Sequence, residues 1–163
     1  MIRVGILTIS DSVCAGRRED ASGPALRNHC TASKWAIAAE ATVPDDREGI
    51  AGQLRAWVDG GVANVILTTG GTGVSARDIT PEATRSVIDR EIPGMAEQMR
   101  SRGLEQTKFS VLSRAIAGTR GGALIVNLPG SPRGAVHSLK AIEDVIPHVI
   151  DLLSGETEHD REA

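Results

Sequence analysis

Three runs of strand length in this chain are apolar at nearly every position: Arg3 to Ser10 (RVGILTIS), Ala63 to Thr69 (ANVILTT) and Ala123 to Leu128 (ALIVNL). A strand with one face in water alternates apolar and polar side chains. Unbroken apolar runs are those of strands with helices covering both faces of a parallel sheet. Ala36 to Val43 is a fourth, alanine-rich candidate. Helical patterns separate the runs. Ile50, Leu54, Trp57 and Val58 recur at helical spacing before the stop signal Gly60-Gly61. Thr80-Pro81-Glu82 predicts a capping threonine, a proline in the first helical position and an acidic first turn. Pro93-Gly94 opens a segment in which Met95 and Met99 lie one turn apart. Val136, Leu139, Ile142 and Ile146 mark a last stretch that Pro147 breaks or restarts, with Val149, Ile150, Leu152 and Leu153 after it. Ile116 to Thr119 is divided from the run at Ala123 by Arg120-Gly121-Gly122, which reads as a hairpin. The pattern predicts a three-layer α/β/α sandwich with a mostly parallel central sheet and one antiparallel element. We expect a single domain over residues 1–155 and a polar, frayed tail over 156–163.

Composition narrows the function. A chain of 163 residues buries roughly 70% of its unfolded surface as one domain, so it needs no disulfide or structural metal. Net charge is −3 and the only aromatic residues are Trp35, Trp57 and Phe109. Neither a polyanion-attracting field nor a row of stacking platforms is present, which argues against a nucleic-acid partner. A small anion remains possible, because a nest of backbone N–H groups holds one without net positive charge. Cys14 and Cys30 lack CxxC or metal-ligand spacing and read as idle thiols of a reducing compartment. His29, His137, His148 and His159 show no ligand spacing either. No run approaches the roughly 20 apolar residues that span a bilayer, and the opening residues do not read as a secretion signal. The expectation is a cytoplasmic protein with no membrane partner.

In open α/β sheets ligands bind beyond the carboxyl ends of the strands. There this chain places Ser10-Asp11-Ser12, Pro44-Asp45-Asp46, Thr69-Gly70-Gly71-Thr72-Gly73 and Leu128-Pro129-Gly130-Ser131-Pro132, four loops that could share one cleft. The glycine loop lets backbone N–H groups approach an anion, and Thr69 and Thr72 add hydroxyl donors. Gly71-x-Gly73-x-x-Ala76 matches the dinucleotide fingerprint in isolation. It follows the third strand, however, and the next helix starts only near Thr80, both contrary to that motif. A Walker A loop is excluded, since none of Lys34, Lys108 and Lys140 follows a glycine. Asp45 and Asp78 are the carboxylates placed to hold Mg²⁺, which takes one or two carboxylates plus phosphate oxygens and water. Asp45 to Glu48 also has capping-box spacing, so Asp45 reads equally as a helix cap. Asp78 has no such second role, Thr80 being the better cap. Asp11 is a weaker candidate, because aspartate after a strand is common turn chemistry. The prolines around Gly130 and Ser131 stiffen the fourth loop. Glu97 and Arg114 are charged residues able to face the cleft, although helix charges are more often solvated surface.

At these residues the chain resembles a known family. Thr8-Ile9-Ser10-Asp11, Asp20-Ala21-Ser22-Gly23, Pro44-Asp45, Thr68-Thr69-Gly70-Gly71-Thr72-Gly73, Arg77-Asp78-Ile79-Thr80-Pro81-Glu82-Ala83, Pro93-Gly94, Glu97, Leu112-Ser113-Arg114 and Asn127 to Pro132 occur in the family's order. The ordered set, which runs to about Leu153, is similar to the molybdopterin-binding MoaB/Mog family, whose bacterial members include molybdopterin adenylyltransferase. The resemblance implies a homotrimer that binds ATP with Mg²⁺ and molybdopterin and adenylates the pterin's terminal phosphate, releasing pyrophosphate. A molybdate-inserting protein is the implied downstream partner. Asp45 and Asp78 match the acidic positions needed for catalysis. Ser10, Asp11, Thr69, Gly70, Gly71, Thr72, Gly73, Thr80, Ser113, Pro129, Gly130 and Ser131 match substrate- and nucleotide-binding segments; which loop meets AMP and which the pterin stays open. A non-catalytic carrier of the same fold is the alternative, and the presence of both Asp45 and Asp78 favours the enzyme.

The chemistry suits the residues. The attacking phosphate is already ionised, so no general base is required, only alignment of two anions and neutralisation of charge. A helix terminus contributes about 0.3–2 kcal/mol toward an anion, whereas binding at about 10 µM needs roughly 7 kcal/mol. A cation is therefore expected, and with few aromatics the adenine and pterin rings should be recognised by backbone and hydroxyl groups.

Overall fold

The structure, a computed structural model, describes residues 1–156. Its elements run in the order β1 (Arg3–Ile9), α1 (Asp11–Cys14), α2 (Ser22–Ala32), β2 (Ala36–Val43), α3 (Arg47–Asp59), β3 (Val65–Thr69), α4 (Thr80–Arg85), β4 (Arg90–Glu91), α5 (Pro93–Gly103), a 3₁₀ turn (Lys108–Leu112), β5 (Ala117–Arg120), β6 (Ala123–Leu128), α6 (Pro132–Lys140) and α7 (Ile146–Ser154). The strands form one sheet in the order β2-β1-β3-β6-β5-β4. β2, β1, β3 and β6 pair in parallel, and β5 runs antiparallel to both of its neighbours.

The unbroken apolar runs become the three central strands. From Val4 onward β1 is buried, and β3 and β6 are buried at every position. Because side chains alternate between faces, neighbouring residues enter different cores. Val4, Ile6, Val65, Leu67, Leu124 and Val126 pack with Leu26, Met95, Met99, Leu139 and Ile146 from α2, α5, α6 and α7. Leu7, Ile9, Ile66 and Ile125 pack on the other face with Ile50, Leu54 and Trp57 of α3 and Ala83 of α4. The predicted three layers are present. β2, at the edge, alternates between exposed and half-buried residues, which is why its sequence signal is weak.

The predicted hairpin joins β5 and β6 through Gly121-Gly122, with Arg120 paired to Ala123 and Gly121 at φ 51°. β4 carries no apolar pattern; two charged residues pair with Thr119 and Gly118 at the sheet edge. Pro147 restarts the chain as α7, and Gly155 ends that helix at φ 86°. The polar tail expected over 156–163 lies, beyond Glu156, outside the described residues.

Two expected caps differ. Asp46, not Asp45, caps α3, its Oδ2 accepting the Gly49 N–H at 2.7 Å. Thr80 caps nothing. It lies inside α4, whose N-cap position is Ile79 without a side-chain bond, and its hydroxyl donates to the Gly70 carbonyl at 2.9 Å. The spacing of a capping box tolerates a shift of one residue; hence the sequence confuses two adjacent aspartates. Asp46→Ala should lower stability by about 1 kcal/mol in urea titration, and a variant as stable as the parent would remove the cap assignment.

The two thiols differ in setting. Cys14 is exposed and Cys30 is buried; burial, then the nearby Glu143 charge, pushes the Cys30 thiol up to about 12. A thiol with so little thiolate reacts slowly. An aromatic disulfide reagent at pH 8 should modify Cys14 in the native protein and Cys30 only as the protein unfolds. Equal native rates would contradict the packing of α2 on the sheet.

Candidate active site

The strand order reverses between β1 and β3: the chain leaves β1 to one side for β2 and returns to the other for β3. At that switch point the carboxyl ends of β1, β2, β3 and β6 bring the four predicted loops together. The Ser10 N–H donates to the Val43 carbonyl at 3.0 Å. Beyond it two aspartates lock the first loop to the second: the Asp45 N–H donates to Asp11 Oδ1 at 2.8 Å and the Asp11 N–H to Asp45 Oδ2 at 3.1 Å. The third loop ties to the fourth through Gly70 N–H on the Leu128 carbonyl at 3.1 Å and the Thr69 hydroxyl on the Pro129 carbonyl at 2.6 Å.

Glycine is required at two places in the third loop. Gly70 has φ 105°, and a Cβ there would overlap the Ile9 carbonyl oxygen. Gly71 has φ 68°, and its Cβ would overlap the Thr80 hydroxyl and stand 3.1 Å from Asp45 Oδ1. Any L side chain would push β3 off β1 or displace Asp45. On the same loop Asp78 Oδ2 lies 2.8 Å from where a Cβ of Gly73 would stand, and it accepts the Ser75 N–H at 3.0 Å. Asp45 and Asp78 thus both flank the glycine loop.

Two cavities share this loop. The first, about 540 Å³, lies between Ser10–Ser12, Asp45, Thr69–Gly71, Arg77, Asp78 and Gly130–Pro132. The second, about 460 Å³ and mostly apolar, is walled by Thr72–Val74, Met99, Phe109, Leu112, Ser113, Pro129 and His137. Ser131 lines both; its hydroxyl also caps α6 by accepting the Gly134 N–H at 3.1 Å. Of the predicted contact residues, Thr80 alone lines neither cavity; fully buried, it supports the loop from beneath. Glu97 is exposed and lines neither.

The electrostatics are those of a crowded anionic site. Asp11 is held below the usual carboxylate value by the Asp45 N–H and by Arg77, whose guanidinium donates to Asp11 Oδ2 at 2.5 Å. Asp45 moves upward, mainly by burial, with the Asp11 and Asp78 charges adding to it. The two aspartates exchange equivalent bonds, but Asp45 is the more buried and only Asp11 also has a guanidinium on its carboxylate, so their shifts oppose. Among the described residues no group of three or more His, Cys, Asp or Glu is arranged to hold a metal. A cation at Asp45 and Asp78 would draw its other ligands from substrate oxygens and water. Two carboxylates with hard oxygen donors beside the glycine loop, one raised mainly by partial burial and further by its negative neighbours, fit magnesium on that basis.

Sequence reasoning missed Arg77 and Arg18 as site residues. Arg77 meets an aspartate 66 residues away, a pairing that spacing cannot show, and Arg18 donates to Ser10 Oγ at 3.3 Å from inside the cleft. Arg114, read as a possible cleft residue, lines neither cavity but reaches the glycine loop from behind.

Comparison with known proteins agrees with this architecture. Residues 5–148 match the family described as "Probable molybdopterin binding domain". The chain belongs to this family. It is 36% identical over 168 aligned residues to the molybdopterin adenylyltransferase of Escherichia coli K12, covering 94% of this chain and 86% of that protein. It is 38% identical over 157 residues to the molybdenum cofactor synthesis protein cinnamon of Drosophila melanogaster, of which it spans only 26%. The crystal structure of the molybdopterin biosynthesis enzyme MoaB from Thermus thermophilus superposes with a TM-score of 0.90 at 49% identity, covering 95% of this chain and 98% of that one.

Glu82 of α4 is held below its ordinary value by the hydrogen bond from Arg114. A carboxyl depressed in the folded state adds stability that is complete above its unfolded pKa, 4.5, and lost as pH falls through the lower folded value. Urea midpoints should therefore drop more steeply below pH 4.5 for the parent than for Glu82→Gln. Parallel curves would show that the pair does not couple to folding.

Proposed function

We propose that the chain is a molybdopterin adenylyltransferase, transferring AMP from ATP to the terminal phosphate of molybdopterin with release of pyrophosphate. The observation that carries this reading is the meeting of four loops at one cleft, with Asp45 of the second loop and Asp78 of the third both against the glycines of the loop that lines both cavities. Two cavities with a common rim suit two ligands that must touch end to end.

The pterin phosphate oxygen attacks the α-phosphorus of ATP; the bond from that phosphorus to the bridging oxygen breaks, and pyrophosphate leaves with the bonding electrons. Bound magnesium supplies charge neutralisation for the phosphates. Asp45 and Asp78 are the residues that would hold it. The backbone of Gly70–Gly73 offers N–H donors to phosphate oxygens, and Arg77 and Arg18 add cations to the lining of the first cavity. No side chain accepts a proton, because the nucleophile enters ionised. The catalytic contribution is orientation and fixed charge.

The ring systems meet few aromatic surfaces. Phe109 alone among the three aromatic residues lines either of these two cavities, so hydroxyls and backbone groups such as those of Thr72, Ser113 and Ser131 remain the main recognition elements. The reading includes a cytoplasmic homotrimer that passes its product to a molybdate-inserting protein.

With Mg-ATP and molybdopterin, the purified protein should release pyrophosphate and form adenylylated pterin. Asp78→Asn should cut turnover by about a hundredfold or more with little change in thermal midpoint. Pterin binding without pyrophosphate release would establish a carrier instead, and normal turnover by a folded Asp78→Asn variant would remove Asp78 from the chemistry.

A further inference from the structure

We infer that Arg114 is a positioning residue for the reaction, fixing the stretch from Thr72 to Asp78 and with it the Asp78 carboxylate. The inference rests on the adenylyltransferase reading for its consequence, but not for its geometry.

The glycine loop is held in two parts. Its first part, Gly70 and Gly71, is fastened from α4: the Thr80 hydroxyl donates to the Gly70 carbonyl at 2.9 Å and the Thr80 N–H to the Gly71 carbonyl at 3.1 Å. The second part, residues 72–78, is exposed from Val74 to Arg77. Arg114 reaches this part from the segment that precedes β5. Its N–H donates to the Thr72 carbonyl at 2.8 Å, its Nε to the Gly73 carbonyl at 2.7 Å and one terminal nitrogen to the Asp78 carbonyl at 2.6 Å. The guanidinium also pairs with Glu82, in the first turn of α4. One side chain therefore bridges both ends of the 73–78 excursion and the helix that follows it.

A guanidinium suits the task because its donors lie in one rigid plane, whereas a lysine ammonium is a compact point charge on a flexible stem. Within the excursion Asp78 and Ser75 bond each other: the Ser75 N–H meets Asp78 Oδ2 and the Asp78 N–H meets the Ser75 carbonyl, both at 3.0 Å. That small ring orients the carboxylate relative to its own loop; Arg114 orients the loop relative to the fold. Arg114 lines neither cavity, so it acts through Asp78 and touches no ligand.

The test uses Arg114→Lys, which keeps the charge, beside Arg114→Ala. For Arg114→Lys the expected result is a kcat at least about tenfold lower, as displacement of a reacting group by an ångström or less costs, with KM for Mg-ATP within about threefold. Ligand-free hydrogen exchange by NMR should speed up at the Ser75 and Asp78 amides and stay unchanged in β3 and β6. Unchanged kcat and unchanged loop exchange in a folded Arg114→Lys variant would overturn the inference. So would a general loss of stability with normal kcat per folded molecule. If the parent protein releases no pyrophosphate, the functional reading fails by itself. The exchange measurement then decides alone, with faster loop exchange supporting the role of Arg114 and unchanged exchange refuting it.

Discussion

The structure turns on the close approach of backbone to backbone where β3 leaves the sheet. Gly70 lies against the Ile9 carbonyl oxygen with no room for a Cβ, and its N–H is spent on the Leu128 carbonyl. That contact draws the ends of three parallel strands to one point. Everything functional is arranged around it: the Thr69 hydroxyl fastens the Pro129 loop, Thr80 fastens the loop from beneath, and Asp45 fits against Gly71. A larger residue at either glycine would separate the loops that meet at the cleft.

The second constraint is charge. Asp11, Asp45 and Asp78 converge on one cleft, and only part of this negative charge is compensated among the described residues. Arg77 makes its ion pair with Asp11, which leaves Asp45 partly buried and raised in pKa, with Arg77 acting on it only at longer range. A divalent ion accompanying a triphosphate would relieve that imbalance. The same arrangement would weaken binding of phosphate ligands that arrive without one, because the carboxylates would repel them.

Much of the fold was legible because burial on both faces leaves a mark that survives in one dimension. β1, β3 and β6 are read from unbroken apolar runs, and the hairpin from Gly121-Gly122. β4 was invisible because two charged edge residues, Arg90 and Glu91, obey no apolar pattern. The glycine loop, Asp45 and Asp78 could be placed at strand ends from local sequence alone. The functions of Thr80 and Arg114 could not, since each acts through a long-range bond to a backbone carbonyl, and carbonyls are common to every residue. Arg77 was hidden for a related reason: its partner is far along the chain and near in space only after the sheet has formed.

The central claim is that one cleft at the strand ends joins both phosphates through Asp45 and Asp78. Anomalous diffraction from crystals grown with manganese and a non-hydrolysable ATP analogue tests it most directly. The account predicts a manganese peak against the carboxylates of Asp45 and Asp78, beside the triphosphate on the Gly70–Gly73 loop. A triphosphate bound elsewhere, or a metal that contacts neither aspartate, would contradict it.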